Sequence, residues 1–561
     1  MLARQRASRR AKTAPPGGGA VFWRRAAPLL ALALAVRLVG LAYGLPHVYN
    51  ADEPHLLHMA VSLSAGLRPY SFKYPTLWPE VLAAAFGAWF AFWSGAGLAR
   101  GASAFAALYA FHPTGFYLIA RGLAAVCQIG GLAAVARAET RGGARLPWGA
   151  ALLALSPTLV ESAHSAKPDS LMFLLSAASI ALALEFLADG KKSRLMGSAF
   201  LAGLACSAQY TAAPAGLAVG CAWLLGEDGP APWPWLWQAG AAAAAGFLLG
   251  TPYALIDHSR FAADWRDYAA LGRLRDPDAP RWTWAAVKNI WAFAGEGTIG
   301  GLAALLGAAA LLRREPKRAL VLLVPIAAYA AVLTFSFDGG VPRYLMGAFA
   351  PLALLAGEGL SSAAGEIAWR RALTAALALI PGLILCASMD ADFLAPDTRA
   401  QAGRWLAAHV PAHDTLLLDE PHAGPLAPMD LEQCKALAAR TAALGSPRAR
   451  LYAAMAAHHP GGGWRVLRVR RSAADLWSAP GHVARSQADG DFLDVRPGLD
   501  VARAARVDYV VTSSYGADPE RARELATFFQ ELYAGADLVA EFRPVPEKVV
   551  GPWLRVFRLA R

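Results

Sequence analysis

From about residue 26 to residue 388 the chain alternates long apolar runs with short polar or basic breaks. A bilayer crossing needs about 20 mostly apolar residues. Runs at 26–45, 78–97, 115–137, 146–161, 170–188, 195–210, 211–226, 236–252, 291–312, 319–336, 345–360 and 371–388 approach that length. After about residue 389 the pattern shortens. β-rich stretches at 414–419, 465–470, 508–514 and 553–559 alternate with helical patterns at 398–410 and 521–536, which argues for a small α/β domain. The pattern therefore predicts a polytopic α-helical membrane protein over 26–388, followed by a soluble α/β domain over 389–561. The first 25 residues are basic and low in complexity, and they read as a disordered cytoplasmic tail. The run at 26–45 reads as a first membrane helix rather than a signal peptide, because it is long enough to span and lacks a clear A-x-A site.

Composition agrees with a membrane protein. Hydrophobic residues make up 56% of the 561 and charged residues 17%, against about 25% charged in an average soluble domain, which excludes one compact soluble globule. The formal charge of +12 would suit nucleic acid, but the basic residues recur between apolar runs instead of forming one aromatic-studded stripe. They read as cytoplasmic loops, and no nucleic-acid partner is expected. Five cysteines without CxxC spacing support neither a disulfide framework nor a zinc site.

The basic clusters set the orientation. Arg137, Arg141 and Arg145; Lys191, Lys192 and Arg194; Arg313, Arg314, Lys317 and Arg318; and Arg370 with Arg371 should share the cytoplasm with the amino terminus. Loops 46–77, 162–169 and 254–290, the turn at 337–344 and the C-terminal domain then fall outside. The runs at 78–97 and 115–137 together return the chain to the wrong side. Either one of them does not span or the weak apolar stretch at 101–112 adds a crossing, for a total of about 11 or 13 helices. Alanine-rich, arginine-over-lysine usage points to a high-GC bacterium and so to a bacterial plasma (inner) membrane.

Polar chemistry gathers at the external ends. Asp52 and Glu53 directly follow the first helix, where they could be a simple interfacial stop, since charge costs far less there than at the midplane. They are flanked by His47, His55 and His58, and then by Arg68, Tyr70, Lys73, Tyr74 and Trp78. After a break at Ser156–Pro157 come Glu161, His164, Lys167 and Asp169; Asp169 could equally cap the next helix. Arg37 lies halfway along an apolar run and must snorkel, pair with a carboxylate or meet a phosphate. Arg343 and Tyr344 open a helix at the outer face, where Arg343 could serve as an interface anchor; a guanidinium fork also matches phosphate geometry. Gln209, with Tyr210 and Pro214, interrupts an apolar stretch, and Asp257 and His258 end another.

Asp52-Glu53 after the first helix, KYPTLWP at 73–79, SPTLVESAHSAKPD at 156–169, TPYALID at 251–257 and PRYLMGAFAPLALLAG at 342–357 together resemble the integral-membrane glycosyltransferases of the GT-C fold. These take sugar from polyprenyl-phosphate lipids; the group includes the protein O-mannosyltransferases (glycosyltransferase family 39) and the aminoarabinose transferases. The resemblance covers roughly 26–390. It implies a GT-C-like membrane domain, a polyprenyl-phosphate sugar donor, and Asp52, with Glu53 beside it, as catalytic base or acceptor-positioning group. The family commonly carries a Lys where this chain has Gln209, which leaves Arg343, Lys73 or Arg37, with Tyr344, to hold the donor phosphate. His55, Tyr74, His164, Lys167, Asp169, Gln209 and Asp257 are then expected to contact substrate. The His-rich first loop leaves a divalent metal ion open as cofactor, and no other cofactor is expected. The acceptor, a glycan, a lipid or a protein, is not named by the sequence.

Two rivals come from other classes. A transporter or flippase of lipid-linked sugars would place charges on broken helices near the midplane and show internal repeats; here the acids cluster at helix ends and no repeat is evident. A non-catalytic scaffold would tolerate Asp52→Asn. The C-terminal domain has PGGGW near Gly461 but no GxGxxG between strand and helix, so it reads as a scaffold or acceptor-docking unit and not a nucleotide site.

Overall fold

The computed structural model describes residues 18–560 apart from 51, 65, 67, 98–100, 143, 145, 227–228, 272–297, 337–341, 420–421, 447, 471–490 and 517–522. Most of the predicted tail, half of the 254–290 loop and the start of the 291–312 run lie outside the described residues. Elsewhere the apolar runs form helices. Among the described residues, Thr114–Arg141, Asp169–Asp189, Arg343–Ala364 and Ala368–Leu394 are long and apolar enough to cross a membrane. Shorter apolar helices pack around them in one core containing Trp78, Phe86, Phe116, Phe173 and Phe349. Alanine and glycine permit close backbone approach. Gly203 abuts the Ala243 carbonyl and Gly246 the Phe200 carbonyl, leaving no room for a Cβ at either position.

The 146–161 run is not one helix. Ser156–Pro157 divides it into Trp148–Ala154 and Pro157–Ala163, because a proline ring blocks the helical hydrogen bond and crowds the preceding turn. Ala102–Phe111 has 10 residues, a rise of about 15 Å against a hydrocarbon core of about 30 Å. Leu77–Gly95 packs against both the 162–169 loop and the helix Thr114–Arg141. Its Trp78 Nε1 donates to Ala166 O at 3.0 Å, and its Trp89 ring packs 4.7 Å from that of Phe116, near the start of Thr114–Arg141. That helix then runs to the opposite, basic end, where Glu185 gathers Arg137, Arg141 and Arg194 and Arg318 pairs with Glu358 at 3.2 Å.

Three sequence motifs meet at one hydroxyl knot. Thr76 Oγ1 donates to Gly250 O at 3.1 Å, Thr76 N to Thr251 Oγ1 at 3.4 Å, and the Ser207 and Thr251 hydroxyls lie 2.7 Å apart. Side-chain hydroxyls thereby occupy the helix end at Gly250, where backbone groups lack helical partners.

Ala368–Leu394 carries the chain into the C-terminal part, where six strands, β1 (Thr415–Leu418), β2 (Arg465–Val469), β3 (Phe492–Leu493), β4 (Tyr509–Ser513), β5 (Asp537–Phe542) and β6 (Leu554–Arg558), form one sheet. Their order across it is β3-β2-β1-β4-β6-β5. The first four run parallel, while β6 and β5 pair antiparallel. Alternation places Leu417, Val510 and Phe557 against Phe528 and Leu532 on one face, and Leu416, Leu418, Val511 and Val556 against Leu406 and Trp464 on the other. The α/β expectation holds. This part sits on the bundle's loop end: the Arg399 guanidinium lies 3.3 Å from the Tyr49 ring centroid, and Phe111 packs against the cluster of Cys434, Leu437, Tyr452 and Met455.

Candidate active site

Asn50 accepts the Asp52 N–H at 3.0 Å and opens the helix Asp52–Ser64, as an N-terminal amide acceptor does. Two acids in a first turn suit the helix dipole. Consecutive helical residues point about 100° apart, so the pair faces different partners. Asp52 Oδ2 lies 2.9 Å from Arg343 Nη1, and both side chains are partly exposed. Glu53 is fully buried. It takes a two-pronged pair from Arg121, Nε to Oε1 and Nη2 to Oε2 at 3.0 Å each, and its Oε1 also accepts Ala166 N at 2.6 Å. Arg121 Nη1 in turn donates to Leu41 O and Tyr43 O. Glu53, expected beside Asp52 as a catalytic group, has both oxygens engaged in tying the helix Asp52–Ser64, the 162–169 loop and Arg121 together.

Around Asp52 the chain gathers the groups that chemistry on a phosphate-linked substrate would use. Arg343 stacks 5.1 Å from the Tyr344 ring centroid. Tyr74 has Asp52, Tyr344, Arg343 and Asp169 as electrostatic neighbours, and burial, reinforced by the carboxylates, pushes its phenol well above the usual range. It stays a hydroxyl donor. Lys167 faces Asp169, Arg343, Asp52 and Glu53; burial lowers its ammonium pKa, and Asp169 is the main opposing charge. Asp169 is the first residue of the helix Asp169–Asp189 and not its N-cap, which is Pro168, and its buried Oδ1 has no hydrogen-bond partner among the described residues. Asp52, Arg343, Tyr344, Tyr74, Lys167 and Asp169 thus form one cluster from four separated sequence motifs.

Other sequence-selected residues lie elsewhere. Arg37 is fully buried and four of its five N–H donors are taken: Nε on Gln128 Oε1 at 2.6 Å, Nη1 on Ala33 O and Ala154 O at 2.9 Å each, Nη2 on Leu153 O at 3.3 Å. Arg37, expected among the phosphate-holding groups, thus satisfies the Leu153 and Ala154 carbonyls beside the break at Ser156–Pro157. Lys73 has Asp264 and Asp267 of the helix His258–Leu271 as charged neighbours, and burial lowers its ammonium pKa against their pull. His55 sits under Tyr70, whose hydroxyl donates to the His55 carbonyl at 2.9 Å, with the Tyr74 ring 6.2 Å away. Both ring nitrogens of His164 face carbonyls, Val160 O at 2.8 Å and Val39 O at 2.6 Å; burial lowers its pKa, and those carbonyls oppose the shift. Gln209 is buried where the helix Lys192–Ala208 gives way to a 3-10 turn, the expected interruption. Asp257 closes the helix Tyr253–Ile256, and its carbonyl accepts Phe261 N at 3.0 Å.

Sequence reasoning passed over Arg121, although the signal that drew attention to Arg37, a lone guanidinium inside an apolar run, applies to it equally. It also could not connect Asn50 with Asp52, or foresee that Arg399 and Tyr515 of the C-terminal part reach the bundle. Among the described residues no group of three or more His, Cys, Asp or Glu is arranged to hold a metal ion. The carboxylates Asp52 and Asp169 instead share the cations Arg343 and Lys167, a donor set that does not suit a divalent ion.

The helical bundle with its polar loop end and appended sheet is the GT-C membrane fold. The chain resembles the crystal structure of ArnT from Cupriavidus metallidurans bound to undecaprenyl phosphate, with a TM-score of 0.55 and 14% identity over 95% of this chain and 98% of that one. The apo ArnT structure matches at TM-score 0.54 and 13% identity, covering 94% and 97%. The mycobacterial arabinofuranosyltransferase AftD gives a looser likeness, TM-score 0.44 at 14% identity, over 96% of this chain and 40% of that chain. No family model matches the sequence, and no curated protein matches it.

Proposed function

We propose that this protein is a membrane glycosyltransferase that moves a sugar from a polyprenyl-phosphate donor to an extracytoplasmic acceptor by direct, inverting displacement. The observation that carries this reading is the Asp52–Arg343 pair at 2.9 Å, with Lys167 and Asp169 beside it at the loop end of a fold shared with a structure that holds undecaprenyl phosphate. The donor phosphate competes with Asp52 for the Arg343 guanidinium. Its arrival neutralises the phosphate and frees the carboxylate. Asp52 then takes the proton of the acceptor hydroxyl as the acceptor oxygen bonds to the anomeric carbon. The bond from that carbon to the phosphate oxygen breaks on the opposite face, and its electron pair stays on the phosphate, where Arg343 and Lys167 offset the charge. Tyr74 remains a hydroxyl donor to the substrate. The basic residues at the other end favour a cytoplasmic placement of that end, which puts the reaction on the outer face of a bacterial inner membrane. A transporter reading gains nothing from Arg37 and Arg121, whose guanidiniums are engaged within the protein.

The experiment is mass analysis of glycolipids and glycoproteins from cells with and without the gene, followed by transfer assays on purified variants. One sugar should be missing without the gene. Asp52→Asn should cut transfer by about 10²–10⁴-fold with thermal unfolding unchanged, and Arg343→Ala should weaken undecaprenyl-phosphate binding. Transfer by Asp52→Asn at the wild-type rate would overturn the assignment.

A further inference from the structure

A separate cavity of about 300 Å³ lies between the bundle and the sheet. Tyr43, Tyr49, Asn50 and Glu161 come to it from the bundle, and Arg399 and Tyr515 from the C-terminal part. The sheet's topology explains why a cavity forms there. Strand order reverses between β1 and β4, and open α/β sheets bind ligands beyond the carboxyl ends of their strands at that reversal. Tyr515 stands two residues after β4, while Arg399 Nη1 donates to His422 O at 3.2 Å, in the segment that follows β1. The carboxyl edge of the sheet therefore faces the membrane part.

The wall chemistry narrows the occupant. Arg121 is matched by Glu53, and Arg399 by Asp397, Nε to Oδ1 at 2.9 Å and Nη2 to Oδ2 at 2.7 Å. Both guanidiniums are thus neutralised, leaving the exposed Glu161 carboxylate to set the sign, which disfavours an anion. Burial pushes the Tyr49 phenol up, so it remains a neutral donor. The Tyr515 and Tyr43 rings give the wall an aromatic surface, the Tyr49 ring is covered by the Arg399 guanidinium and Phe393 stacks on His164, while Asn50, Ser165 and Glu161 offer hydrogen-bonding edges. A sugar ring has that amphipathic character: a C–H face for an aromatic ring and a rim of hydroxyls. The volume lies at the small end of the roughly 300–1,000 Å³ of ligand pockets, which suits a single saccharide unit better than a lipid tail. Asn50 links the cavity to the reacting group, because its side-chain oxygen accepts the Asp52 N–H.

We propose that this cavity seats a neutral or amine-bearing saccharide unit of the acceptor, so that the acceptor of the Asp52 reaction is a glycan. The proposal rests on the glycosyltransferase reading above and names its acceptor class. The test uses the full-length protein in lipid nanodiscs and saturation-transfer NMR with methyl glycosides of glucose, galactose, mannose, N-acetylglucosamine and arabinose, with glucosamine, and with inorganic phosphate as the anionic probe. Undecaprenyl-phosphate binding is measured on the same samples. At least one glycoside should bind. Tyr515→Ala should weaken it about three- to tenfold, the loss expected for one aromatic contact, Tyr515→Phe should restore it, and Glu161→Gln should weaken an amine-bearing sugar most. Undecaprenyl phosphate should bind Tyr515→Ala as it binds wild type. The proposal is overturned if no glycoside binds, if Tyr515→Ala and Glu161→Gln bind it as wild type does, or if phosphate takes the site. In each of those cases, undecaprenyl-phosphate binding that still depends on Arg343 leaves the broader reading standing. Loss of that dependence sinks the broader reading on its own.

Discussion

Asp52 and Glu53 are chemically alike and adjacent, yet one helical step separates a half-open pair from a buried architectural one. The distinction leads to opposite expectations for the same conservative change. Glu53→Gln leaves Arg121 buried without its counterion, a defect that costs about 3–5 kcal/mol when one partner of a buried pair is removed. Asp52→Asn leaves Arg343 partly exposed, where an ion pair contributes about 0–1 kcal/mol. Thermal unfolding in detergent should therefore drop sharply for Glu53→Gln and hardly move for Asp52→Asn, while transfer activity is lost in the second protein with its fold intact. Equal unfolding midpoints would contradict the division of roles. At this scale the sequence marked which residues were anomalous, a buried Arg37 and two interfacial acids. It could not mark their partners, because Gln128 and the Leu153 and Ala154 carbonyls lie about a hundred residues from Arg37 along the chain.

Helices were the most legible elements, since 3.6-residue geometry and bilayer thickness leave few choices for a long apolar run. Proline at 157 marked a true break. Leu77–Gly95 was less legible: its composition suits a crossing, while its contacts with Ala166 and Phe116 join residues distant in the chain and leave no mark in the local pattern. Packing between helices depends on small residues at particular places. The helix Lys192–Ala208 meets Trp233–Gly250 where Gly203 lies against the Ala243 carbonyl. Gly203→Val should force these backbones apart, costing about 1–3 kcal/mol as other overpacked sites do, read as a lower unfolding midpoint in detergent. Gly220→Val, at a glycine with open space around it, should have little effect, and similar losses at both sites would refute the packing argument.

For the molecule as a whole, the C-terminal part is joined to the bundle through Tyr49, Phe111 and the helix Asp52–Ser64. His58 in that helix is buried near Arg448 of the C-terminal part, and burial, with Arg448 and His55 adding to it, pushes its imidazole down from 6.5 to about 3. The unfolded chain therefore binds more protons than the folded one between those values. Stability falls as pH drops from about 6.5 toward 3, at up to about 1.4 kcal/mol per pH unit for one proton. His58→Gln should flatten the pH dependence of the unfolding midpoint between pH 7 and 4, and an unchanged slope would show that other groups set it.

Hydropathy, charge asymmetry and period alone determined that this chain is a membrane bundle followed by an α/β sheet domain, with polar chemistry at one end of the bundle. Those are local properties, imposed by backbone geometry and by the cost of burying charge in hydrocarbon. Tertiary structure decided which acid faces Arg343, which buried arginines are architectural and that the sheet's carboxyl edge closes a cavity against the bundle. Each depends on contacts between residues far apart in the chain, where the angle at which an element docks, and not its composition, selects the partner.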